Sequence, residues 1–139
     1  VSVGQSFSVD VVVENAGGSG AQAVSVPAPT LGGSGALTLS DGPSPASADV
    51  SSGASATFTF TYEATSAGDV SFAALAVGEN EHSARALSAS SDEVIVAVQT
   101  PPQLNASLSL PATLSAGHAF EVTLLVENGG QATASALPG

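Results

Sequence analysis

The sequence predicts an all-β protein built as an antiparallel sandwich of short strands. In several stretches, Val, Thr and Phe residues recur with a period of two, which is typical of strands with one buried face. No stretch keeps the apolar spacing of a helix, and the best candidate, residues 83–90, holds its apolar stripe for about one turn. The strands follow one another at intervals of roughly 8–15 residues, as they do in sandwich folds.

The N-terminal strand is predicted to begin at Phe7 and to end at Glu14, because Asn and Gly in the segment 15–20 tolerate the backbone of a turn. Its buried face would carry Phe7, Val9, Val11 and Val13. The clearest strand is Thr57–Tyr62, which places three aromatic residues on one face and three threonines on the other. Other strands are predicted at residues 21–26, 36–39, 70–77 and 93–98.

Polar segments are expected to connect these strands. Residues 41–45 contain Gly and Pro and predict a loop, and Ser66–Asp69 predicts a tight turn. Residues 78–91 are polar and predict an irregular segment. The strand at 70–77 would be either the hairpin partner of Thr57–Tyr62 or its neighbour in the other sheet.

The charge of the chain excludes several classes of partner. The 139 residues include 12 acidic side chains and a single Lys or Arg, which is Arg85, and the formal net charge is −11. Without cations the chain cannot neutralise phosphates, so we predict no binding to nucleic acid, and anionic lipid surfaces would repel it. No apolar stretch approaches the ~18 residues of a membrane span. The absence of Cys excludes disulfides and Cys-based sites.

One stretch of the sequence occurs twice. Residues 7–18 read FSVDVVVENAGG and residues 120–130 read FEVTLLVENGG, at an offset of 113 residues that also relates Gly4 to Gly117. The inward positions stay apolar in both copies while the outward positions vary, as expected of two copies of one half-buried strand. The offset fits one β-sandwich of about 100 residues and a linker.

The repeat predicts the domain boundaries. We expect a sandwich at residues 1–99 that lacks its first strand, a Pro-rich linker at 100–103, and the opening strands of a second module at 104–139. The second copy begins with the alternating strand Leu104–Leu110, which has no counterpart before Gly4. This strand, or the one after it, would complete another chain's sandwich by strand addition. We favour a simpler alternative, in which the chain is an excerpt of a longer tandem array.

The first copy has a pattern that consists of Gly4, Phe7, Val9, Val11, Val13, Asn15 and Gly17, followed by Ala21–Val26 and later by Ser52–Phe58. This pattern resembles immunoglobulin-like modules of the bacterial CARDB type. The resemblance covers residues 1–98 and restarts at 104, and it implies an immunoglobulin-like antiparallel β-sandwich repeated in tandem. It also implies secreted or surface-attached proteins with adhesive or spacing roles, and it carries no catalytic residues. The absence of Lys and the abundance of Ala, Gly and Ser depart from the family.

One acidic segment could hold a cation. Oxygen donors from Glu79, Asn80 and Glu81 stand together, and Asp92 would approach them if the segment closes on itself. The spacing of an EF-hand is absent, and a solvated loop is the simpler interpretation. We therefore predict no metal and no cofactor.

The sequence offers little for catalysis. His82 and His118 have no repeated carboxylate partner, so they do not predict a zinc site. Ser is abundant, but no G-x-S-x-G motif is present, and the chain is predicted not to be an enzyme. The sequon that begins at Asn105 is a coincidence if the chain is bacterial.

A few apolar residues are candidates for an interface. Val12 and Leu125 occupy the same outward position of the repeated strand, where plain β-propensity is the alternative explanation. The strand that lacks a counterpart adds Leu104, Leu108 and Leu110 to these candidates. Arg85, the lone cation, is expected to pair with a nearby carboxylate.

These observations predict a structural or adhesive repeat of an exported bacterial protein, located outside the cell or on its surface. It would act as a spacer or as a self-assembling module, with neighbouring modules or copies of itself as partners. The alternative is a ligand- or carbohydrate-binding accessory module of a secreted protein. That role has less support, because all six aromatic side chains are expected to lie in cores.

Overall fold

The computed structural model describes residues 1–135 and contains no helix among them. All strand pairs are antiparallel, which confirms the all-β fold class. The chain divides into two compact units, Val1–Val98 and Gln99–Gly139. The first unit contains the strands β1 (Ser6–Glu14), β2 (Ala21–Ser25), β3 (Thr30–Gly33), β4 (Ala36–Ser44), β5 (Ala48–Val50), β6 (Ser55–Ser66), β7 (Gly68–Ala73), β8 (Leu75–Asn80), β9 (Ala86–Ser90) and β10 (Val94–Val98).

One sheet of the first unit has the order β1-β6-β4. The other strands form the sheets β10-β7-β3 and β5-β2-β8-β9. Three pairs of consecutive strands each have one member in either sheet: β2 and β3, β7 and β8, and β9 and β10. Only Ala74 separates β7 from β8, so we describe the two sheets as successive halves of one layer. The strand at 70–77 therefore lies opposite β6 as a neighbour in the other layer, and it is not its hairpin partner.

The core lies between the two layers. Phe58, Phe60 and Tyr62 of β6 are fully buried, while the intervening threonines are less so, as the period of two predicts. From the other layer, Val70 and Phe72 of β7 pack into the same apolar cluster. The first unit is thus a sandwich-like pair of layers around an aromatic centre.

Two segments predicted as irregular belong to strands. Residues 41–44 continue β4, where shifts in register beside Asp41 let a Pro-containing edge strand remain paired with β6. Within residues 78–91, residues 78–80 end β8 and residues 86–90 form β9, and the two strands pair as a hairpin. The short strands β3 and β5 had no clear signal in the sequence, because each holds three or four residues and is positioned by its neighbours.

The second unit is a two-stranded ribbon of β11 (Leu104–Ser109) and β12 (Thr123–Asn128). The predicted strand Leu104–Leu110 is present and ends before Pro111. The repeated strand is shorter than predicted, because residues 120–122 lie outside β12. In the first unit all nine residues of β1 pair with β6, whereas β12 pairs only with the six residues of β11.

Candidate functional site

The most distinctive feature of the first unit is the unpaired edge of β1. This strand pairs with β6 along one side, and within residues 1–135 no strand pairs with its other side. Its inward side chains Phe7, Val9, Val11 and Val13 pack against the core but are only partly buried. An edge of this kind presents unpaired backbone N–H and C=O groups beside apolar side chains, which is the chemistry that accepts a further strand.

A groove runs along this edge, and we call it the β1 groove. Its main part has a volume of about 400 Å³ and lies between Val9 and Val11 of β1, Phe72 of β7, and Val94 and Val96 of β10. Because β1 and β10 are edge strands of different layers, the groove opens between the edges of the two layers.

The groove continues toward the end of β1. A further cleft of about 130 Å³ shares Val11 and Ala74 with the main part and adds Val13, Ala76 and Ala89. The small side chains of Ala74, Ala76 and Ala89 leave space beside β1. The lining is therefore mainly apolar, and Asp10 and Glu14 of β1 border it.

The inward face of β10 shows how the core opens at this groove. Val98 is 3% exposed, Val96 is partly buried, and Val94 is 63% exposed, although all three point to the same side of the strand. The burial thus decreases along β10 toward the groove. A strand lying beside β1 would cover these side chains.

The ribbon of the second unit shows what such a strand would look like. β12 is the repeat of β1, so that Leu124 corresponds to Val11, Leu125 to Val12 and Val126 to Val13. In the ribbon β12 has an antiparallel partner, β11, with Leu108 opposite Leu124 and Ala106 opposite Val126. Among the described residues β12 is therefore paired with β11, whereas its equivalent β1 is paired with β6.

The turn that ends the repeated strand is also the same in both units. The side-chain amide of Asn15 donates to the carbonyl of Ser19, and that of Asn128 donates to the carbonyl of Ala132. The Oδ1 atom of each Asn accepts from the backbone N–H two residues later. This agreement supports the alignment of β1 with β12 residue by residue.

The five candidate interface residues lie in both units, and their role stays a prediction. Val12 is exposed on the outward face of β1. In the ribbon, Leu104 and Leu108 lie on the face that carries Leu124, whereas Leu125 lies on the opposite face beside Ser107. All five side chains, Val12, Leu104, Leu108, Leu110 and Leu125, are more than half exposed.

The acidic segment is used in hydrogen bonds that hold the turn between β8 and β9. The Oδ1 atom of Asn80 accepts from the backbone N–H groups of His82 and Ser83. Glu81 accepts from the backbone N–H of Gly20 at 2.7 Å. Among residues 1–135, no three His, Cys, Asp or Glu side chains are grouped so that they could hold a metal ion. Glu79 and Asp92 therefore belong to no such group.

The expected ion pair of Arg85 is absent. Within the part of the chain that the structure describes, the only close contact between an acidic and a basic group joins His82 and Glu81, with 3.2 Å between Nδ1 and Oε1. Arg85 instead contributes its backbone carbonyl, which accepts from the N–H of Asn80. The side chain of Arg85 is exposed, and an exposed ion pair would have contributed little.

Comparison of the chain with protein-family models, with curated proteins and with solved structures gives no match. The described residues also contain no helix that is long and apolar enough to cross a membrane.

Proposed function

We propose that this chain is a structural or adhesive module of an exported bacterial surface or fibre-forming protein. The module is an immunoglobulin-like sandwich that occurs in series and acts as a spacer or as a self-assembling unit. Its partners are neighbouring modules or other copies of itself. It performs no catalysis in this role.

The observation that carries this proposal is the repetition of one strand and its turn in two units. β1 and β12 share their apolar pattern, and Asn15 and Asn128 make matching hydrogen bonds at the end of each strand. A chain that repeats a buried pattern together with its turn chemistry is expected to build the same fold at each repeat. This supports a series of modules.

The distribution of polar groups favours a structural role over a chemical one. Asn80 and Glu81 are engaged in backbone hydrogen bonds of a turn, and Asp10 accepts from the hydroxyl of Thr59 across neighbouring strands. The strong negative charge favours solubility and keeps apart modules that have no specific contact.

A carbohydrate-binding module has less support. Sugar recognition commonly uses exposed aromatic rings, whereas Phe58, Phe60 and Tyr62 are buried in the first unit. Phe120 is exposed, contrary to the expectation that all six aromatic side chains lie in cores. It lies in the second unit, before β12, where no second layer is present among the described residues. We therefore keep the structural role as the proposal.

Labelling of intact cells tests this function. An antibody raised against the purified chain should label the cells that produce the protein equally well before and after permeabilisation. A short treatment of intact cells with protease should remove the label, while a cytoplasmic marker protein stays intact as a control. Labelling that appears only after permeabilisation would contradict an exported surface protein.

A further inference from the structure

We propose that residues 100–103 are not a free linker but are held as part of the second unit by the turn that follows β12. We call residues 100–103 the linker segment and residues 128–132 the Asn128 turn. The inference deepens the proposed function, because it rests on modules that follow one another in series and concerns the length of chain that connects them. Three observations support it: the hydrogen bonds of the linker segment, the close approach of Gly130, and a comparison with the equivalent turn of the first unit.

Thr100, at the start of the linker segment, is bound to the Asn128 turn by its backbone and by its side chain. Its backbone N–H donates to Oε1 of Gln131 at 2.9 Å, and its Oγ1 atom accepts from the backbone N–H of Gln131 at 3.0 Å. Its carbonyl oxygen accepts from the N–H of Ala132, also at 3.0 Å. Three polar groups of Thr100 are therefore engaged, and the two bonds to Gln131 close a ring that limits the movement of both residues.

The other end of the linker segment is also bound. The N–H of Gln103 donates to Oδ1 of Asn128 at 3.0 Å, and its carbonyl oxygen accepts from the N–H of Gly129 at 2.7 Å. Between the two ends stand Pro101 and Pro102, which have no backbone N–H to donate. Every backbone N–H of the linker segment is thus bound by the Asn128 turn, whereas a free linker would leave these groups to water.

The Asn128 turn approaches the linker segment so closely that one position has no room for a side chain. A Cβ added at Gly130 would overlap the carbonyl oxygen of Pro101 and would lie 2.8 Å from both the nitrogen of Gln103 and the Cα of Pro102. These atoms belong to the backbone, so a change of rotamer cannot move them aside. The glycine therefore allows the two segments to pack directly against each other.

The equivalent turn of the first unit shows which features the turn itself does not need. By the offset of 113 residues, Gly130 corresponds to Gly17 and Gln131 to Gly18. Within 4 Å, a Cβ added at Gly17 would meet only Oδ1 of Asn15, and one added at Gly18 would meet no atom. The hydrogen bonds of the turn thus require neither the close approach at Gly130 nor the side chain of Gln131. Contact with the linker segment accounts for both.

This attachment sets the length of chain that is free to move between successive modules. β10 ends at Val98 and the linker segment begins at Thr100, so Gln99 is the single residue between them. Release of the four residues of the linker segment would add up to about 14 Å of extended chain. A connection that is kept short in this way suits a module that acts as a spacer.

Nuclear magnetic resonance relaxation of the full chain tests whether the linker segment is held. Rigid backbone amides have order parameters of about 0.85, whereas those of flexible amides fall below about 0.6. The amides of Thr100 and Gln103 should have values of about 0.85, equal to those of β12 in the same unit. Values below about 0.6 at both positions, beside rigid amides in β12, would overturn the inference.

Gln131→Ala tests the contact at Thr100. The variant removes the acceptor of the Thr100 N–H, so exchange of this amide with solvent deuterium should become about fivefold to tenfold faster. The control is Gln103→Ala, which shortens another exposed glutamine; among the described residues, only the backbone of Gln103 takes part in hydrogen bonds. The control should leave the exchange of the Thr100 amide unchanged.

Gly130→Ala tests the close approach. Its Cβ would overlap the backbone of Pro101, so the linker segment should be released and the order parameter of Thr100 should fall below about 0.6. The control Gly129→Ala places its Cβ 3.6 Å from Nδ2 of Asn105 and 3.8 Å from the carbonyl oxygen of Gln103, which are ordinary contact distances. This control should keep the wild-type value. If Gly130→Ala unfolds the ribbon, the exposed substitution Gln131→Ala still decides the question.

Equal behaviour of each variant and its control would also overturn the inference, because the side chain of Gln131 and the space at Gly130 would then have no part in holding the linker segment. A mobile linker segment would leave the surface role intact. Cells that are labelled only after permeabilisation would, in turn, leave the order parameters as expected. The failure of this inference and the failure of the proposed function are therefore distinguishable.

Discussion

Tyr62 and Phe72 pack edge to face across the two layers of the first unit. Their ring centroids are 5.5 Å apart and their planes are inclined at 78°. Tyr62 lies on β6 and Phe72 on β7, so this pair joins the two sheets of the sandwich-like unit. Edge-to-face pairs of this kind contribute about 0.5–1.5 kcal/mol beyond the burial of their surface. Tyr62 is therefore a central packing residue that also carries a polar group.

The variant Tyr62→Phe should be more stable than the wild type. The Tyr62 hydroxyl is buried and has no hydrogen-bond partner among the described residues, and an unpaired buried polar group costs about 1–3 kcal/mol. Its removal should raise the free energy of unfolding by about 1 kcal/mol while the ring contact is kept. Urea unfolding followed by circular dichroism measures this. The reciprocal control Phe58→Tyr adds a hydroxyl at another buried position and should destabilise.

Stability should fall in alkaline solution because of the same residue. Burial raises the pKa of Tyr62 above its ordinary value of 10.0. As the pH rises above about 10, the unfolded chain loses the tyrosine proton before the folded chain does, so ionisation favours unfolding. The chain has no Lys and no Cys, and this is its single Tyr, so no other side chain is expected to titrate in that range.

Urea unfolding is measured at about pH 8, 10 and 11, which lie below, at and above the ordinary pKa of Tyr. The wild type should lose stability between the second and third values. Tyr62→Phe should show no such loss, and a parallel decline of both proteins would refute the assignment to Tyr62.

Removal of the turn asparagine should have different effects in the two units. In the first unit, Asn15 donates to the carbonyls of Ser19 and Val50 and accepts from Gly17, so Asn15→Ala should cost about 2 kcal/mol. Tyr62 fluorescence reports this unit alone, because the chain has no Trp and no other Tyr. The matched variant Asn128→Ala removes the two equivalent turn bonds and a bond from the N–H of Gln103 in the ribbon, and it should leave the Tyr62 transition unchanged.

Gly68 should tolerate no side chain. Its φ of +134° is rarely adopted by other residues, and an added Cβ would lie 2.6 Å from the backbone nitrogen of Gly35. Gly68→Ala should thus destabilise by about 1–3 kcal/mol or prevent the first unit from folding. Gly18→Ala is the control, because an added Cβ there meets no atom within 4 Å. Thermal unfolding by circular dichroism compares the two variants, and equal melting temperatures would disprove the steric argument.

The period-two pattern was sufficient to predict the strands that build the core. The alternation within Thr57–Tyr62 predicted the buried face of β6, and the repeat predicted both β1 and β12. The pattern was insufficient where pairing overrides local chemistry. The Gly and Pro residues of 41–45 suggested a loop, but a paired neighbour keeps most of that segment in β4.

The candidate site was predictable only in part. The repeat predicted that β1 and β12 are equivalent strands, and the matching hydrogen bonds of Asn15 and Asn128 agree with this. The groove itself could not be predicted, since Phe72 and Val94 reach it from strands that are distant in sequence. The acidic segment was also ambiguous, because the hydrogen bond from Gly20 to Glu81 depends on the approach of two loops.

The two units should respond differently to the loss of a phenylalanine. Phe58 is 0% exposed within the two-layered unit, whereas Phe120 is 53% exposed beside the ribbon, although both were expected to be core residues. Phe58→Ala should therefore cost about 3–5 kcal/mol, while Phe120→Ala should change the free energy of unfolding by less than about 0.5 kcal/mol. Urea unfolding followed by Tyr62 fluorescence and by circular dichroism measures both variants in dilute solution. A large loss of stability for Phe120→Ala would mean that this side chain is buried against a further layer, and the ribbon would then be part of a closed core.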